Sequence, residues 1–331
     1  MFAVVLVGGF GTRLRPLTND VPKPMLPVIH RPMIVHLVER LAAAGVSDVV
    51  LALGFKPEPF QSAFPDGCHG DVRVHYAVEP EPLDTGGAIR FAAEAAAVQG
   101  TFLVANGDVI ADLDFAALTA AHHAFGGDAT LHLTAVDDPS AFGVVETDAS
   151  GAVRRFLEKP ESGETDSNLI NAGTYVFEPS VLDRIPPLQR VSIERTVFPA
   201  LVAEGRLYGM PSDDYWLDTG NPEQYLQANL DLVRGMRGTG VDGVHADAEI
   251  DDDALVVESV VGARARVAAG ARITGSVLLP GAVVEAGAVI DRSVVGGEVG
   301  TDAVVTASII GVGYAVAANV TVDARRLPEP P

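Results

Sequence analysis

A glycine-rich turn near the start of the chain is followed by three cationic side chains. Residues 2–7 form a continuous apolar run with β-branched side chains, which predicts a strand buried on both faces of a parallel sheet. In the turn 8–11, three glycines allow backbone N–H groups to approach a ligand without a β-carbon in the way. Arg13, Arg15 and Lys23 follow, although the whole chain carries a formal net charge of -21. This local reversal of charge predicts a site for a nucleoside triphosphate.

Two better-known phosphate loops do not fit this turn. A Walker loop needs a lysine followed by serine or threonine, and neither dipeptide occurs in the chain. A dinucleotide-binding fingerprint needs a further glycine where Leu14 stands. The alternative at this point is a surface turn with incidental arginines, because glycine turns after strands are common.

Lysine is rare in this sequence. Only Lys23, Lys56 and Lys159 are lysines among the 23 basic side chains, so arginine is used wherever a generic cation suffices. A compact ammonium differs from a planar guanidinium in a tight phosphate site. The lysines are therefore candidate functional residues.

Composition limits the classes of partner. A chain of 331 residues predicts two domains, and 48% hydrophobic residues are ample for their cores. The net charge of -21 argues against nucleic acid or an anionic membrane as partner. The sequence has neither a spanning apolar stretch nor a basic region before its first apolar run, which favours the cytoplasm. The single cysteine, Cys68, excludes an internal disulfide and is interpreted as a packing residue.

Strands and helices alternate over the first hundred residues. Strands are predicted at 49–53, 72–78 and 102–105, with helices at 33–44 and 86–97. This βαβ pattern predicts a doubly wound α/β domain, whose ligands bind beyond the carboxyl ends of the strands. Further strands are predicted at 129–136, 143–146, 153–158 and 169–177, followed by helices at 192–204 and 222–234.

Asp108 follows the strand predicted at 102–105 and sits on a glycine turn, at the carboxyl edge of the sheet. Mg²⁺ prefers one or two carboxylates together with phosphate oxygens and water, so Asp108 predicts a magnesium site with a second acid elsewhere. Asp112 and Asp114 are interpreted as solvated or capping residues. The His122-His123 pair is interpreted as surface on an amphipathic helix.

The last third of the chain contains an internal repeat. Apolar residues recur every six positions between residues 244 and 322, and Ser259, Ser276, Ser293 and Ser308 mark successive coils at spacings of 17, 17 and 15. Hexapeptides grouped in threes predict a triangular parallel β-helix of about five coils.

The glycine turn and the lysine after it resemble the sugar-1-phosphate nucleotidyltransferase family, whose signature G-G-x-G-T-R-L precedes a P-K-P segment. Residues 8–14 and 22–24 match the two halves. The resemblance implies that Arg13 and Lys23 neutralise the departing pyrophosphate. It also implies nucleotide-binding roles for Leu6, Gly8, Gly9, Gly11 and Thr12.

The loop at 79–88 resembles the base-reading loop of that family, written L-G-T-[AG]-G, with Asp84 where glycine is usual. The resemblance implies nucleotide contacts by Glu79, Leu83, Thr85 and Gly87. A carboxylate only accepts hydrogen bonds, and guanine offers two neighbouring donors, so Glu79 favours GTP over thymine or uracil nucleotides. The context E-P-E-P-L resembles the mannose-1-phosphate guanylyltransferase branch. The alternative is an exposed acidic residue on the loop rim.

Three short pieces resemble the sugar-phosphate site of the family: F-G-V at 142–144, E-K-P at 158–160 and N-A-G at 171–173. By resemblance Lys159 holds the sugar phosphate, and Asp218 is the second metal ligand beside Asp108. The sugar-phosphate residues implied are Gly143, Glu158, Lys159, Asn171 and Gly173.

The combined hypothesis is an α/β, Rossmann-like nucleotidyltransferase domain at 1–235, a linker at 236–240, and a left-handed parallel β-helix at 241–331 that favours a homo-oligomer. Its expected reaction transfers a nucleoside monophosphate from GTP to mannose 1-phosphate with Mg²⁺. The implied catalytic residues are Arg13, Lys23, Asp108, Lys159 and Asp218. Two alternatives stay open: a glucose-1-phosphate thymidylyl- or uridylyltransferase, and a catalytically silent regulatory homologue.

Overall fold

A computed structural model describes residues 1–9, 11–54, 57–161 and 163–329. Lys56 lies outside the described residues. By its contacts the chain divides into two compact units. The first unit is Met1–Gly9 with Ile34–Trp216, and the second is Phe10–Met33 with Leu217–Pro331. The domain limits inferred from sequence, at 235 and 241, stay a prediction.

Six α-helices lie in the described part of the chain: α1 (Met33–Ala43), α2 (Glu58–Ala63), α3 (Asp84–Ala95), α4 (Phe115–Phe125), α5 (Phe198–Ala203) and α6 (Pro222–Val233). The strands before the repeat are β1 (Phe2–Leu6), β2 (Pro27–Val28), β3 (Arg31–Pro32), β4 (Asp48–Leu53), β5 (Cys68–His69), β6 (Val72–Val78), β7 (Phe102–Asn106), β8 (Val109–Ala111), β9 (Ala129–Ala135), β10 (Gly143–Thr147), β11 (Val153–Glu158), β12 (Leu169–Phe177), β13 (Leu207–Pro211) and β14 (Trp216–Asp218).

The first unit is built on a ten-stranded mixed sheet. Its centre has the order β7-β1-β4-β6, all parallel, and β12 continues the sheet antiparallel beyond β7. The chain therefore proceeds from β1 through β4 to β6 on one side and returns with β7 on the other side of β1. Such a reversal of strand order is the topological switch point where ligands bind in α/β sheets. The predicted doubly wound α/β fold is confirmed.

Most predicted elements lie where the sequence places them, with ends shifted by one or two residues. Strands β6, β11 and β12 have the predicted bounds. Helix α1 ends before Gly45, whose φ of 84° is readily adopted only by glycine. The predicted helix at 192–204 is a π-helical turn, Ile193–Val197, followed by α5.

Three minor interpretations are corrected by the structure. His122 is not at the surface: it is 1% exposed, its Nδ1 lies 2.9 Å from Thr130 Oγ1, and burial lowers its pKa. Asp112 is paired rather than simply solvated, since Arg40 Nη1 donates to its Oδ1 at 3.0 Å, whereas Asp114 caps α4 as predicted. Cys68 is exposed and is not a packing residue. The first two errors have the same cause, because packing against distant segments leaves no mark in the local sequence pattern.

The second unit contains a parallel β-helix, formed by β15 (Glu249–Ile250), β16 (Leu255–Val257), β17 (Val260–Val261), β18 (Arg266–Val267), β19 (Arg272–Thr274), β20 (Val277–Leu278), β21 (Val283–Val284), β22 (Val289–Asp291), β23 (Val294–Val295), β24 (Glu298–Val299), β25 (Val304–Thr306), β26 (Ile309–Ile310), β27 (Ala315–Val316), β28 (Thr321–Asp323) and β29 (Arg326–Leu327). They form three sheets of five parallel strands each. Each strand stacks on the strand that lies three places earlier in the chain, so three strands make one coil. The predicted five coils are confirmed.

The recurring serines form a buried column inside the coils. The N–H of Ser276 donates to Ser259 Oγ at 3.1 Å, that of Ser293 to Ser276 Oγ at 3.0 Å, and that of Ser308 to Ser293 Oγ at 3.0 Å. Each of these hydroxyls also donates to the carbonyl two residues earlier. Buried polar groups need such partners, which explains why the serine recurs once per coil.

No helix in the described part of the chain has the length and apolar character needed to cross a membrane.

Candidate functional site

The first unit brings the glycine turn, a base-loop residue and a carboxylate to the switch point. A β-carbon at Gly8 would lie 3.3 Å from the backbone nitrogen of Gly54 and 3.6 Å from Glu79 Oε1. At Gly9, by contrast, a β-carbon would meet no atom within 4 Å. The turn therefore has one face packed against the end of β4 and another face open above the strands.

Asp108 is held beside the end of β1 by the glycine that precedes it. The Gly107 N–H donates to the carbonyl of Leu6 over 2.9 Å, and a β-carbon at Gly107 would lie only 2.6 Å from Val7 Cγ1. Only glycine allows this close approach of the two strand ends. The predicted magnesium ligand and the glycine turn thus lie next to each other in the first unit.

Glu79 is buried, which rules out the alternative of an exposed rim residue. It is 8% exposed, and its Oε2 accepts a hydrogen bond from the backbone N–H of Leu83 at 2.8 Å. Burial raises the pKa of Glu79, while the Leu83 N–H opposes that shift. Its other oxygen, Oε1, lies near the Gly8 backbone, where it could accept a hydrogen bond from a ligand.

The rest of the base loop is bonded to the segment 189–194. Asp84 has a φ of 61°, a left-handed conformation that glycine and, less often, aspartate adopt. The hydroxyl of Thr85 donates to Glu194 at 2.7 Å, and a β-carbon at Gly87 would lie 2.5 Å from a carbonyl oxygen at position 189. Leu83 is buried. These contacts shape the loop, and nucleotide contacts by its residues stay a prediction.

Glu158 and Lys159 lie at the end of β11, opposite Gly143 in the register of β10. Lys159 is exposed and has a φ of 54°, and its N–H donates to the carbonyl of Phe142 over 2.9 Å. Burial, followed by the charge of Glu194, raises the pKa of Glu158, and Lys159 opposes that rise. This arrangement presents an ammonium to solvent beside a half-buried carboxyl group.

The N-A-G segment forms a bulge in β12 that touches the Asp108 loop. Asn171 Oδ1 accepts from the Gly173 N–H at 3.0 Å, and Asn171 Nδ2 donates to the Tyr175 hydroxyl at 3.0 Å. A β-carbon at Gly173 would lie 2.5 Å from Asn106 Nδ2. The predicted sugar-phosphate segment is therefore adjacent to the predicted metal loop, within one unit.

Trp216 contacts the predicted sugar-phosphate segments, which sequence reasoning missed. Its indole Nε1 donates to the carbonyl of Ala172 at 2.9 Å, and its ring lies edge-on to Phe142 with centroids 5.7 Å apart. It thereby joins two of the predicted sugar-phosphate segments. The signal available in the sequence was that this is the only tryptophan and that it stands two residues before Asp218.

The second unit contains further predicted phosphate-binding residues. Gly11 has a φ of 59°, and a β-carbon there would lie 3.1 Å from Thr18 Cγ2 and 3.3 Å from Lys23 Cβ. The hydroxyl of Thr18 donates to the Gly11 carbonyl at 2.7 Å. This turn leads into a short 3-10 helix, Thr12–Leu14, in which Thr12 and Arg13 are exposed.

Lys23, Asp218 and Arg13 converge, although the first two are separated by 195 positions. Lys23 is only 5% exposed, and its Nζ lies 3.3 Å from Asp218 Oδ1. A β-carbon at Gly220 would lie 2.8 Å from Asp218 Oδ2 and 3.0 Å from Arg13 Nη2. A carboxylate flanked by two cations retains positive charge for a further anion, which suits polyphosphate.

The two predicted metal ligands, Asp108 and Asp218, lie in different units. Among the described residues no group of three or more histidine, cysteine, aspartate or glutamate side chains is arranged to hold a metal ion. Two carboxylates that rely on phosphate oxygens and water for the remaining positions match the habit of Mg²⁺ rather than that of zinc or calcium. The donor chemistry of these residues therefore fits magnesium.

Known protein families and proteins resemble this chain. A family model described as nucleotidyl transferase matches residues 2–235, and one described as GlmU-like C-terminal hexapeptide matches residues 231–314. The mannose-1-phosphate guanylyltransferase of Mycobacterium tuberculosis is 46% identical over 271 residues, 79% of this chain and 75% of that protein. The mannose-1-phosphate guanyltransferase of Schizosaccharomyces pombe is 44% identical over 241 residues, 72% of this chain and 66% of its own length.

A crystal structure of HddC from Yersinia pseudotuberculosis complexed with GMP-PN superposes with a TM-score of 0.58 at 29% sequence identity. The match covers 69% of this chain and 97% of HddC. A protein that resembles this chain in fold and sequence thus binds a guanine nucleotide analogue.

Proposed function

The chain belongs to the nucleotidyl transferase family, and on that premise we propose that it transfers GMP from GTP to mannose 1-phosphate. The products are GDP-mannose and pyrophosphate. The observation that carries the proposal is the convergence of Arg13, Lys23 and Asp218, since two cations around one carboxylate suit a leaving pyrophosphate. The names of the bacterial and fungal relatives support mannose 1-phosphate as the acceptor.

The reaction needs no covalent intermediate with the protein. A phosphate oxygen of the sugar 1-phosphate attacks the α-phosphorus of GTP in line, and the bond from the α-phosphorus to the bridging oxygen breaks. The electron pair of that bond leaves with pyrophosphate. The protein aligns the two substrates and neutralises charge, with Arg13 and Lys23 at the leaving group and Lys159 at the sugar phosphate.

Nucleotidyltransferases of this kind generally use a divalent metal, and we propose Mg²⁺ for this chain. Asp108 and Asp218 would hold it, because carboxylate oxygens are its preferred protein ligands. Bound there, the ion would supply positive charge to the phosphate oxygens. The ammonium of Lys23 lies 3.3 Å from Asp218 Oδ1 and so fixes the position of that carboxylate.

The choice of guanine is proposed to rest on Glu79. One of its oxygens is taken by the Leu83 N–H, and the other lies near the glycine turn. An acceptor at this place complements the N1 and N2 donors of guanine, whereas thymine and uracil present an acceptor beside their donor. The buried position excludes water that would weaken such a preference.

A competition assay tests the proposal. Purified full-length protein receives GTP, ATP, UTP and dTTP in equal amounts with Mg²⁺, and separate reactions contain mannose 1-phosphate or glucose 1-phosphate. We expect pyrophosphate release with GDP-mannose as the main product. A preference for UTP or dTTP would replace the guanylyl assignment by the thymidylyl or uridylyl alternative. Absence of turnover with every pair would favour the regulatory homologue.

A homo-oligomer and a cytoplasmic location are proposed from the sequence pattern. The hexapeptide β-helix supports assembly, because the flat sheet faces of such helices offer extended surfaces for copies to meet. Sedimentation of the full-length protein measures the oligomeric state, and a monomer at micromolar concentration would contradict it.

A further inference from the structure

The last coil of the β-helix contacts the segment that carries Arg13. Arg326 lies in β29, 313 positions after Arg13, and its Nη1 donates a hydrogen bond to the carbonyl oxygen of Arg13 over 2.9 Å. Both residues belong to the second unit. The β-helix is therefore in direct contact with a residue proposed to act on pyrophosphate.

The carbonyl of Arg13 lacks a donor within its own turn. In the 3-10 turn the bonds run from residue i+3 back to residue i: the Leu14 N–H donates to Gly11 at 3.0 Å and the Arg15 N–H donates to Thr12 at 3.2 Å. The next bond of this series would come from the N–H of residue 16, but Pro16 has none. The Arg326 guanidinium supplies the donor that proline cannot provide.

Two further contacts make this coil a rigid support. A β-carbon at Gly311 would lie 2.9 Å from Pro16 Cβ, so the proline ring lies directly on the backbone of the coil. Arg326 pairs with Ile309 in the parallel ladder, and the preceding N–H, that of Arg325, donates to Ser308 Oγ at 3.0 Å. The strand that carries Arg326 is thus fixed by the end of the serine column.

The same guanidinium also reaches the helix that follows Asp218. Its Nη2 lies 3.5 Å from Glu223 Oε1, in the first turn of α6. Glu223 is largely exposed, so the ion pair itself contributes little energy. Its consequence is orientation, because it directs the planar fork of Arg326 so that the other nitrogen meets the Arg13 carbonyl.

We propose that Arg326 is a positioning residue for Arg13, and that the last coil of the β-helix is part of the scaffold of the polyphosphate site. This inference rests on the proposed function, in which Arg13 binds the pyrophosphate group of GTP. Arg326 does not touch the substrate in this role. It holds the backbone of Arg13 so that the exposed guanidinium of Arg13 stays directed toward Asp218 and Gly220.

The substitution Arg326→Met tests the role, because methionine keeps an unbranched stem but has no donor and no charge. The matched control is Arg272→Met, which removes an exposed arginine from strand β19. For Arg326→Met we expect the KM for GTP, and the KM for pyrophosphate in the reverse reaction, to rise about tenfold or more, as for loss of one charge-assisted hydrogen bond. The KM for mannose 1-phosphate should change less than about twofold, and Arg326→Lys should recover part of the loss.

A double-mutant cycle separates positioning from a general structural effect. If Arg326 acts through Arg13, Arg326→Met should have little further effect in an Arg13→Met background. Additive losses would overturn the proposal, as would equal losses in Arg272→Met. Thermal unfolding of each variant shows whether the fold is retained, and an equal rise of all three KM values would also count against a positioning role.

Failure of the proposed function can be told apart from failure of this inference. If the parent protein releases no pyrophosphate with any substrate pair, the proposed reaction is wrong. Binding of pyrophosphate is then followed by the fluorescence of the single tryptophan, Trp216, in Arg326→Met and Arg272→Met. Weaker binding in Arg326→Met alone supports the positioning role, and equal affinities overturn it.

Discussion

The indole N–H of Trp216 donates to the carbonyl oxygen of Ala172 over 2.9 Å, in the middle of the N-A-G bulge. Ala172 is buried, so its carbonyl has little access to water as a substitute partner. The bond connects the strand that leads to Asp218 with the segment proposed to bind the sugar phosphate.

Trp216→Phe keeps an aromatic ring against Phe142 but removes the donor for Ala172. Leaving that carbonyl unpaired costs about 1–3 kcal/mol, and the bulge should lose its fixed shape. We expect the KM for mannose 1-phosphate to rise about tenfold while the KM for GTP stays within about twofold. Steady-state kinetics with each substrate varied measure the split. Tyr208→Phe in β13 is the control, and a rise in both KM values would contradict the positioning role.

Lys23→Met should reduce kcat by about 10²–10³-fold, the usual loss when one preorganised charge-stabilising donor is removed from a site that excludes water. The substitution also removes the ammonium that lies 3.3 Å from Asp218 Oδ1, which lowers stability. The double variant Lys23→Met/Asp218→Asn should therefore regain stability without regaining activity. Turnover of Lys23→Met within a few-fold of the parent would remove Lys23 from the mechanism.

Glu79→Gln should weaken the preference for GTP over UTP by about tenfold or more in kcat/KM, because an amide offers a donor where guanine also offers one. The nucleotide competition assay measures the ratio. Burial raises the pKa of Glu79 above its ordinary value of 4.5. The folded protein therefore loses stability as pH rises from 4.5 through the raised pKa, because the unfolded chain ionises this carboxyl group more readily. Glutamine should therefore not lower the free energy of unfolding at pH 7.5, and an unchanged nucleotide ratio would exclude Glu79 from base selection.

Because His132 is buried, we expect the free energy of unfolding to fall at acidic pH. Burial lowers its pKa from 6.5 to about 4, so the unfolded chain binds the proton more readily between these values. The free energy of unfolding should thus be highest above pH 6.5 and fall by about 3 kcal/mol as pH decreases to 4. In His132→Gln this contribution to the pH slope should vanish. Ser212→Ala, which removes only its hydroxyl partner at 2.8 Å, should retain the slope in urea unfolding at several pH values.

Ser293→Ala should destabilise the β-helix by about 1–3 kcal/mol, since it leaves the buried Ser308 N–H without its partner and removes one of two donors to the Asp291 carbonyl. Both groups are part of the buried serine column. Chemical unfolding followed by circular dichroism measures the change. The exposed Thr321→Ala is the control, and equal effects of the two substitutions would show that the column contributes no stability.

Local patterns in the sequence determined the class of fold, the glycine turn and the number of coils. An apolar run before Gly8, a left-handed turn at Gly11 and a six-residue apolar period each act over a few residues, where the backbone and its nearest neighbours decide the conformation. Burial on both faces of the parallel strands and stacking of identical coils follow from such patterns directly. The glycine turn and the cations that follow it were recognisable for the same reason.

Only the tertiary structure decided which distant groups meet. Lys23 and Asp218 are 195 positions apart, and Arg13 and Arg326 are 313 positions apart. A chain of that length can fold in many ways, and the local sequence does not show which of them brings these residues together. The same holds for the burial of His122 and for the bond from Trp216 to Ala172. Such contacts depend on how complete elements pack, because a side chain reaches only a few ångströms while the path of the backbone sets what lies within that reach.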